Sequence, residues 1–208
     1  MAPVDRYAGV IFDYGGVLVS HQTQEDVERL AQIAGFTPDV LNCLYWSERG
    51  EYDKGLMTAE DYWNGMAQRA GKTFAADQIR LLIEADNVSW THFDEQMYGY
   101  VESLRSAGKR VAVLSNMPHE LGETIKATTR GFAPFHQVTL SYEVRFIKPD
   151  PEIYEHCLAG LGLSAKDVLF LDDRPENIEG ARRVGIDGIR FTSREEVLPQ
   201  LRTNGSHG

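Results

Sequence analysis

The sequence predicts an α/β protein: a doubly wound parallel sheet with a small helical bundle inserted after its first strand. Three observations carry this. Short, unalternated apolar runs recur along the chain, as strands covered on both faces require. Helical patterns separate them, and strand, helix, strand alternation implies a parallel sheet. One stretch, from about residue 20 to 94, has no clear strand and reads as helices throughout.

Ala8-Gly9-Val10-Ile11-Phe12 is the first strand. Four helices follow in the insert, over roughly 23–34, 38–47, 58–70 and 75–86, with Gly35, Gly50, Gly55 and Gly71 at the connections. Thr58-Ala59-Glu60-Asp61 resembles a capping box, in which side chain and backbone satisfy each other at a helix start. A helix over about Asp94 to Ala107 precedes Gly108, a suitable C-terminal cap. Val111-Ala112-Val113-Leu114 is the second strand, and Val138-Thr139-Leu140 is a weaker one. Asp150-Pro151 opens a helix to about Leu161, with Asp as N-cap and Pro at the first helical position. Val168-Leu169-Phe170-Leu171 is a strand, a helix runs from near Pro175 to Gly185, and Gly188-Ile189-Arg190-Phe191 is the last, weaker strand. Residues 203–208 carry no apolar side chain and read as a frayed tail. The expected division is 1–19 with 95–208 as the core, and 20–94 as a helical cap.

The 208 residues suffice for a core without metal or disulfide staples. With 21 basic and 31 acidic residues the net charge is −10, which argues against nucleic-acid or membrane-surface partners, since both favour a basic face. Cys43 and Cys157 share no metal or disulfide spacing and are expected as buried free thiols. No apolar run approaches a membrane span and no signal-peptide pattern opens the chain, so a cytoplasmic protein, monomer or homodimer, is expected.

Three of the strands end in polar residues: Asp13, then Ser115-Asn116, then Asp172-Asp173. In an open parallel sheet, ligands bind at the carboxyl ends of strands, so the three clusters should converge. Lys148-Pro149-Asp150-Pro151 lies just ahead of a helix and supplies a cation. Carboxylates about 5 Å apart repel by roughly 3 kcal/mol per pair at an effective dielectric near 20. One lysine cannot offset three of them, whereas Mg²⁺ can, and such sites are commonly completed by substrate phosphate. The Ser115 hydroxyl, backbone N–H groups and Lys148 suit a phosphate.

Asp13-Tyr14-Gly15-Gly16-Val17-Leu18, Leu114-Ser115-Asn116, Lys148-Pro149-Asp150-Pro151 and Leu171-Asp172-Asp173 together resemble the haloacid dehalogenase superfamily, in order, spacing and strand context over essentially the whole chain. The resemblance implies a Rossmann-like core with a helical cap after the first motif. It implies a Mg²⁺-dependent phosphatase in which Asp13 is the nucleophile and forms an aspartyl-phosphate. Ser115 and the Asn116 backbone would hold the phosphoryl oxygens, and Lys148 would offset charge. Asp13, the Gly15 carbonyl and Asp173 would bind the metal, with Asp172 acting through water. Asn177 would brace the last loop.

One position departs from the pattern. Most phosphatases of the superfamily carry a second Asp, the general acid–base, where this chain has Gly15. Acid–base catalysis is typically worth about 10² to 10⁴-fold. The enzyme is therefore slow, or another residue donates the proton, or the leaving group needs little help. His21 is the candidate donor. The sequence is similar to a sugar-phosphate phosphatase subgroup with Gly after the nucleophile dipeptide, including the Glu48-Arg49-Gly50-Glu51 turn. A sugar 1-phosphate is the expected kind of substrate. Two other readings stay open: a metal-independent 2-haloacid dehalogenase, and a weakened phosphate-binding module. Glu48, Arg49, Glu51 and Asp53 are expected in a solvated turn. The cap aromatics Trp46, Trp63, Trp90, Tyr45, Tyr52 and Tyr62 are expected in its core. His92, His119, His136, His156 and His207 read as structural or solvated.

Overall fold

The computed structural model describes residues 3–128 and 130–201. Five parallel strands, β1 (Gly9–Phe12), β2 (Arg110–Ser115), β3 (Gln137–Leu140), β4 (Val168–Asp172) and β5 (Asp187–Arg190), form one sheet in the order β3-β2-β1-β4-β5. β1 sits at the centre, with Phe12 opposite Val113 on one side and Leu171 on the other. Its side chains serve two cores. Val10 and Phe12 join one apolar cluster, and Ile11 joins the other with Ala112, Leu114 and Phe170. This double burial explains why the central strands lack alternation.

Eleven α-helices are present among the described residues. The insert holds α1 (Gln24–Ala34), α2 (Pro38–Tyr45), α3 (Arg49–Asp53), α4 (Ala59–Arg69) and α5 (Ala76–Ser89). Around the sheet lie α6 (Glu95–Ser106), α7 (His119–Lys126), α8 (Ser141–Val144), α9 (Pro151–Leu161), α10 (Pro175–Arg183) and α11 (Arg194–Leu201). Cys157 and Leu161 of α9 and Ile178 and Ala181 of α10 pack on one face of the sheet; Met97 and Val101 of α6, Leu121 of α7 and Val197 of α11 pack on the other. No helix among the described residues is long and apolar enough to cross a membrane.

The insert has its own apolar core, built on Leu30, Tyr45, Tyr62, Trp63, Met66 and Leu82. Its chain leaves and returns side by side: the Ser20 N–H donates to His92 O at 3.0 Å and the Asp94 N–H to Leu18 O at 2.9 Å. Thr23 and Asp26 form a full capping box at the start of α1, and Thr58 Oγ1 accepts from the Asp61 N–H at α4. His92 meets Asp26 at 2.8 Å, tying the returning chain to α1.

Several expectations need correction. The turn at 48–53 is a short helix, α3, and Gly50 lies inside it rather than at a connection. Arg49 and Asp53 are buried there, because α3 turns them inward to meet each other and Asp86. Cys43 is exposed, since Leu41 and Tyr45 two positions either side carry the buried face of α2; Cys157 is buried, and both thiols are free. Asp150 occupies the N-cap position of α9, but its side chain makes no capping bond. α7, α8 and α11 have no counterpart in the sequence reading. The expected tail and His207 lie outside the described residues.

Candidate active site

The strand order explains the site. β1 lies between β2 and β4, and all three run parallel, so Asp13, Ser115 and Asp172 leave the sheet at one edge. The Asp13 N–H donates to Leu171 O at 2.8 Å, extending the β1–β4 ladder past the nucleophile candidate. Lys148 enters from the segment between α8 and α9, buried, with its ammonium 2.6 Å from Asp13 Oδ1 and 2.7 Å from Asp172 Oδ2.

Each remaining candidate has a definite place. The Tyr14 N–H also donates to Asp13 Oδ1, at 2.7 Å, so both contacts fall on that oxygen. Asp172 is fully buried and accepts from Lys148, from the Arg174 N–H at 2.8 Å and from Asn177 Nδ2 at 3.0 Å. Asn177 is itself buried and accepts the Tyr154 hydroxyl on its carbonyl at 2.8 Å. Asn116 holds the lysine segment with its amide, accepting from Lys148 N–H at 2.8 Å and donating to Lys148 O at 3.0 Å. Ser115 Oγ has only a 3.5 Å approach to Asn116 O, too long to hold the hydroxyl. It remains available to a ligand. Asp173 faces the pocket, with His21 Nε2 3.3 Å from its Oδ2.

Charge in this cluster is unbalanced. Asp13, Asp172 and Asp173 each offer an oxygen within 4.8 Å of the others. Burial, and then neighbouring Asp172, push the Asp13 carboxyl well above the usual range against the pull of Lys148. Burial opposes the charge on Lys148, but Asp13 and Asp172 outweigh it and raise its pKa. Burial likewise opposes ionisation of Asp173, yet the hydrogen bond from His21 brings its pKa below the ordinary value. A raised carboxyl beside two others marks a place where added positive charge is stabilising. The oxygen donors fit a hard divalent cation such as Mg²⁺.

Above the carboxylates lies a cavity of about 520 Å³. Its floor is the strand-end cluster; its walls include Trp46, Arg49, Asp53 and Trp90 from the insert, and Met117, Leu121 and Ile147 from the core. The cap aromatics therefore divide: Tyr45, Tyr52, Tyr62 and Trp63 are core, while Trp46 and Trp90 line the cavity. Arg49 reaches Asp53 at 2.8 Å and Asp86 at 3.1 Å, beneath the rings of Tyr45 and Tyr52. Burial pushes Asp53 up to about 6 although Arg49 pulls it down. Gly16 has φ of 74°, and a Cβ there would stand 2.8 Å from the His21 ring, so the turn after Asp13 excludes a side chain.

Haloacid dehalogenase-like hydrolases match this chain across residues 7–185. The chain belongs to that family. As a member of this hydrolase family it is an enzyme. It is similar to a sesquiterpene phosphatase of Aspergillus oryzae, 24% identical over 94% of this chain and 95% of the relative. It is also similar to (S)-2-haloacid dehalogenase 4A of Burkholderia cepacia, 25% identical over 90% and 84%. Two further relatives are longer, and the chain spans 35% and 19% of them. Among solved structures, a family enzyme of Bacteroides thetaiotaomicron in complex with magnesium and inorganic phosphate superposes with a TM-score of 0.75, at 22% identity, over 94% of this chain and all of that one.

In the hydrolase, Asp13, Ser115, Asn116, Lys148 and Asp173 line one crevice, and Asp172 lies buried behind them with an oxygen within 4.8 Å of those of Asp13 and Asp173. Sequence reasoning missed the amide clamp of Asn116 and the cavity position of Trp46, Trp90 and Arg49. Gly15 was the available signal for Trp90, because a missing side chain leaves room that a neighbour fills.

Proposed function

We propose that this hydrolase is a phosphomonoesterase acting through an aspartyl-phosphate on Asp13, on a small phosphate ester with a good leaving group such as a sugar 1-phosphate. The observation that carries the reading is the strand-end cluster: three carboxylates, a buried lysine and an unengaged serine hydroxyl around one cavity. Ser115, the Asn116 N–H and Lys148 bind the phosphoryl oxygens. Asp13 attacks phosphorus through Oδ2 while Lys148 and the Tyr14 N–H hold Oδ1. The P–O bond to the leaving group breaks, and water then attacks phosphorus to free Asp13 and inorganic phosphate.

Asp13, the Gly15 carbonyl and Asp173 would hold Mg²⁺, with Asp172 reaching it through water. Its chemistry is to neutralise carboxylate charge and polarise the phosphoryl group. Asp172, whose oxygens are engaged by Lys148, Asn177 and Arg174, orients Lys148. Where a leaving oxygen needs a proton, His21 is the imidazole lining the cavity. Its hydrogen bond to Asp173 gives it a second task, holding that carboxylate.

The test is phosphate release from p-nitrophenyl phosphate, sugar 1-phosphates and sugar 6-phosphates, with and without Mg²⁺, and with Asp13→Asn as control. Metal-dependent release that the variant lacks supports the reading. Halide release from a 2-haloacid without metal, and no phosphate release, replaces it with the dehalogenase reading.

A further inference from the structure

We propose that Trp90 and Trp46 make this site select phosphate esters whose leaving group is aromatic and apolar. The proposal rests on the phosphatase reading and gives it a substrate class.

The first observation is at Gly15. A Cβ built there would lie 3.1 Å from Cζ3 and 3.6 Å from Cε3 of Trp90. The indole edge thus stands in tight contact with the place where a side chain at position 15 would begin. The ring is anchored, not loosely parked. Its Nε1–H donates to the Tyr45 hydroxyl at 3.2 Å, and its carbonyl accepts from the Tyr14 hydroxyl at 2.9 Å. Tyr45 is buried and donates onward to Asp86 at 2.5 Å. A side chain at 15 would crowd a ring tied into this network, which would have to give by a few tenths of an ångström. Two residues from the nucleophile, the site presents indole carbon instead of a carboxyl.

The second observation is the rest of the wall. Trp46 lines the cavity while 52% exposed, with one edge of its ring against Tyr45 at 4.9 Å between centroids and the rest open. Leu121 and Ile147 extend the apolar surface from the core side. The charged residues on this wall are paired with one another. Arg49 is bound to Asp53 and Asp86, and Arg174 meets Glu176 at 2.7 Å. Sugar hydroxyls would meet carbon or groups already engaged. A hydroxyl buried without a partner weakens binding by about five- to 150-fold.

The chemistry points the same way. With no carboxylic acid at position 15, an ester whose leaving oxygen can depart as an anion needs no proton from His21. Asp13 Oδ2 forms the new bond to phosphorus. The bond from phosphorus to the aryl oxygen breaks, and that oxygen keeps the electron pair and later takes a proton from solvent. A phenol, with a pKa of about 10 as in tyrosine, tolerates this far better than an alcohol, whose hydroxyl is much less acidic and closer to water. Within the good-leaving-group class that Gly15 implies, an aryl ester suits both the missing acid and the walls.

The experiment compares kcat/KM of the Mg²⁺-loaded enzyme for 2-naphthyl phosphate, phenyl phosphate and glucose 1-phosphate, and for benzyl phosphate against glucose 6-phosphate, both esters of primary alcohols. The expected order is naphthyl, phenyl, then glucose 1-phosphate, with at least about 100-fold between first and last. Benzyl phosphate should exceed glucose 6-phosphate. Trp46→Ala, at a position 52% exposed and with its fold checked by its urea midpoint, should lower the naphthyl value about ten-fold through KM and the glucose 1-phosphate value much less. Gly15→Asp alone should lose activity, and Gly15→Asp with Trp90→Ala should flatten the dependence of kcat on leaving-group pKa. Sugar esters turned over as fast as aryl esters, or equal losses for both in Trp46→Ala, would overturn the proposal and leave the phosphatase standing. Absence of release from every ester would overturn both.

Discussion

Lys148 and Arg49 are both buried cations on one cavity, and each lies between two aspartates. Their surroundings differ. Lys148 sits at the edge of a parallel sheet, where a third carboxylate, Asp173, faces the cavity and Ser115 Oγ is unengaged. Arg49 sits inside a helical bundle, under the rings of Tyr45 and Tyr52, and donates to the Tyr45 hydroxyl at 2.6 Å. The first cluster is open and short of positive charge; the second is closed by its own neighbours. A buried ion cluster recruits a ligand when its groups are left unsatisfied toward a cavity, and it becomes architecture when they are not.

The widest separation between the two clusters is expected from Asp13→Asn, which should reduce phosphate release by at least about 10³-fold because the nucleophile itself is removed. Phosphate assayed at saturating Mg²⁺ checks it. Lys148→Met and Arg49→Met should each strand two buried aspartates and lower stability by about 3–5 kcal/mol, read from urea midpoints. They should differ in rescue: Mg²⁺ restores part of the loss in Lys148→Met, where a cation can enter, and none in Arg49→Met.

A smaller effect follows from pH. Burial raises the folded-state pKa of Asp53 from 3.8 to about 6. Ionising it therefore costs the folded state more than the unfolded chain. The associated stability is complete below about pH 4 and is lost as pH rises through about 6, on the order of 3 kcal/mol. Urea midpoints across this window should fall more steeply for the wild type than for Asp53→Asn. The smallest effect is expected at the cap's edge, where Thr23→Ala removes a capping box worth about 1 kcal/mol, visible as a lowered Tm without loss of activity at 25 °C.

The same contrast explains what could be read from the sequence. The strand-end residues were legible because each follows an apolar run, and a parallel sheet gathers such positions along one edge. The insert was legible as helices but not as a wall. Arg49 and Asp53 look like solvent residues in a stretch of Glu, Arg and Asp, and only the packing of α3 on α4 and α8, with Asp86 of α5 meeting Arg49, buries them. Trp90 and Trp46 could not be separated from Trp63 by periodicity, since which face meets the cavity depends on how the bundle sits over the sheet. α7 and α11 escaped notice because short polar helices leave little apolar pattern.

A single turnover in heavy-oxygen-labelled water tests the central claim, attack by Asp13 on phosphorus, most directly. Excess Mg²⁺-loaded enzyme is mixed with p-nitrophenyl phosphate, and both the released phosphate and the Asp13 peptide are examined by mass spectrometry. Hydrolysis of an aspartyl-phosphate at phosphorus places the label in phosphate and leaves Asp13 unlabelled, with a phosphorylated Asp13 peptide recovered on early acid quench. Label in the Asp13 carboxylate after turnover of a 2-haloacid, with no phosphorylated peptide at any quench time, would contradict the account.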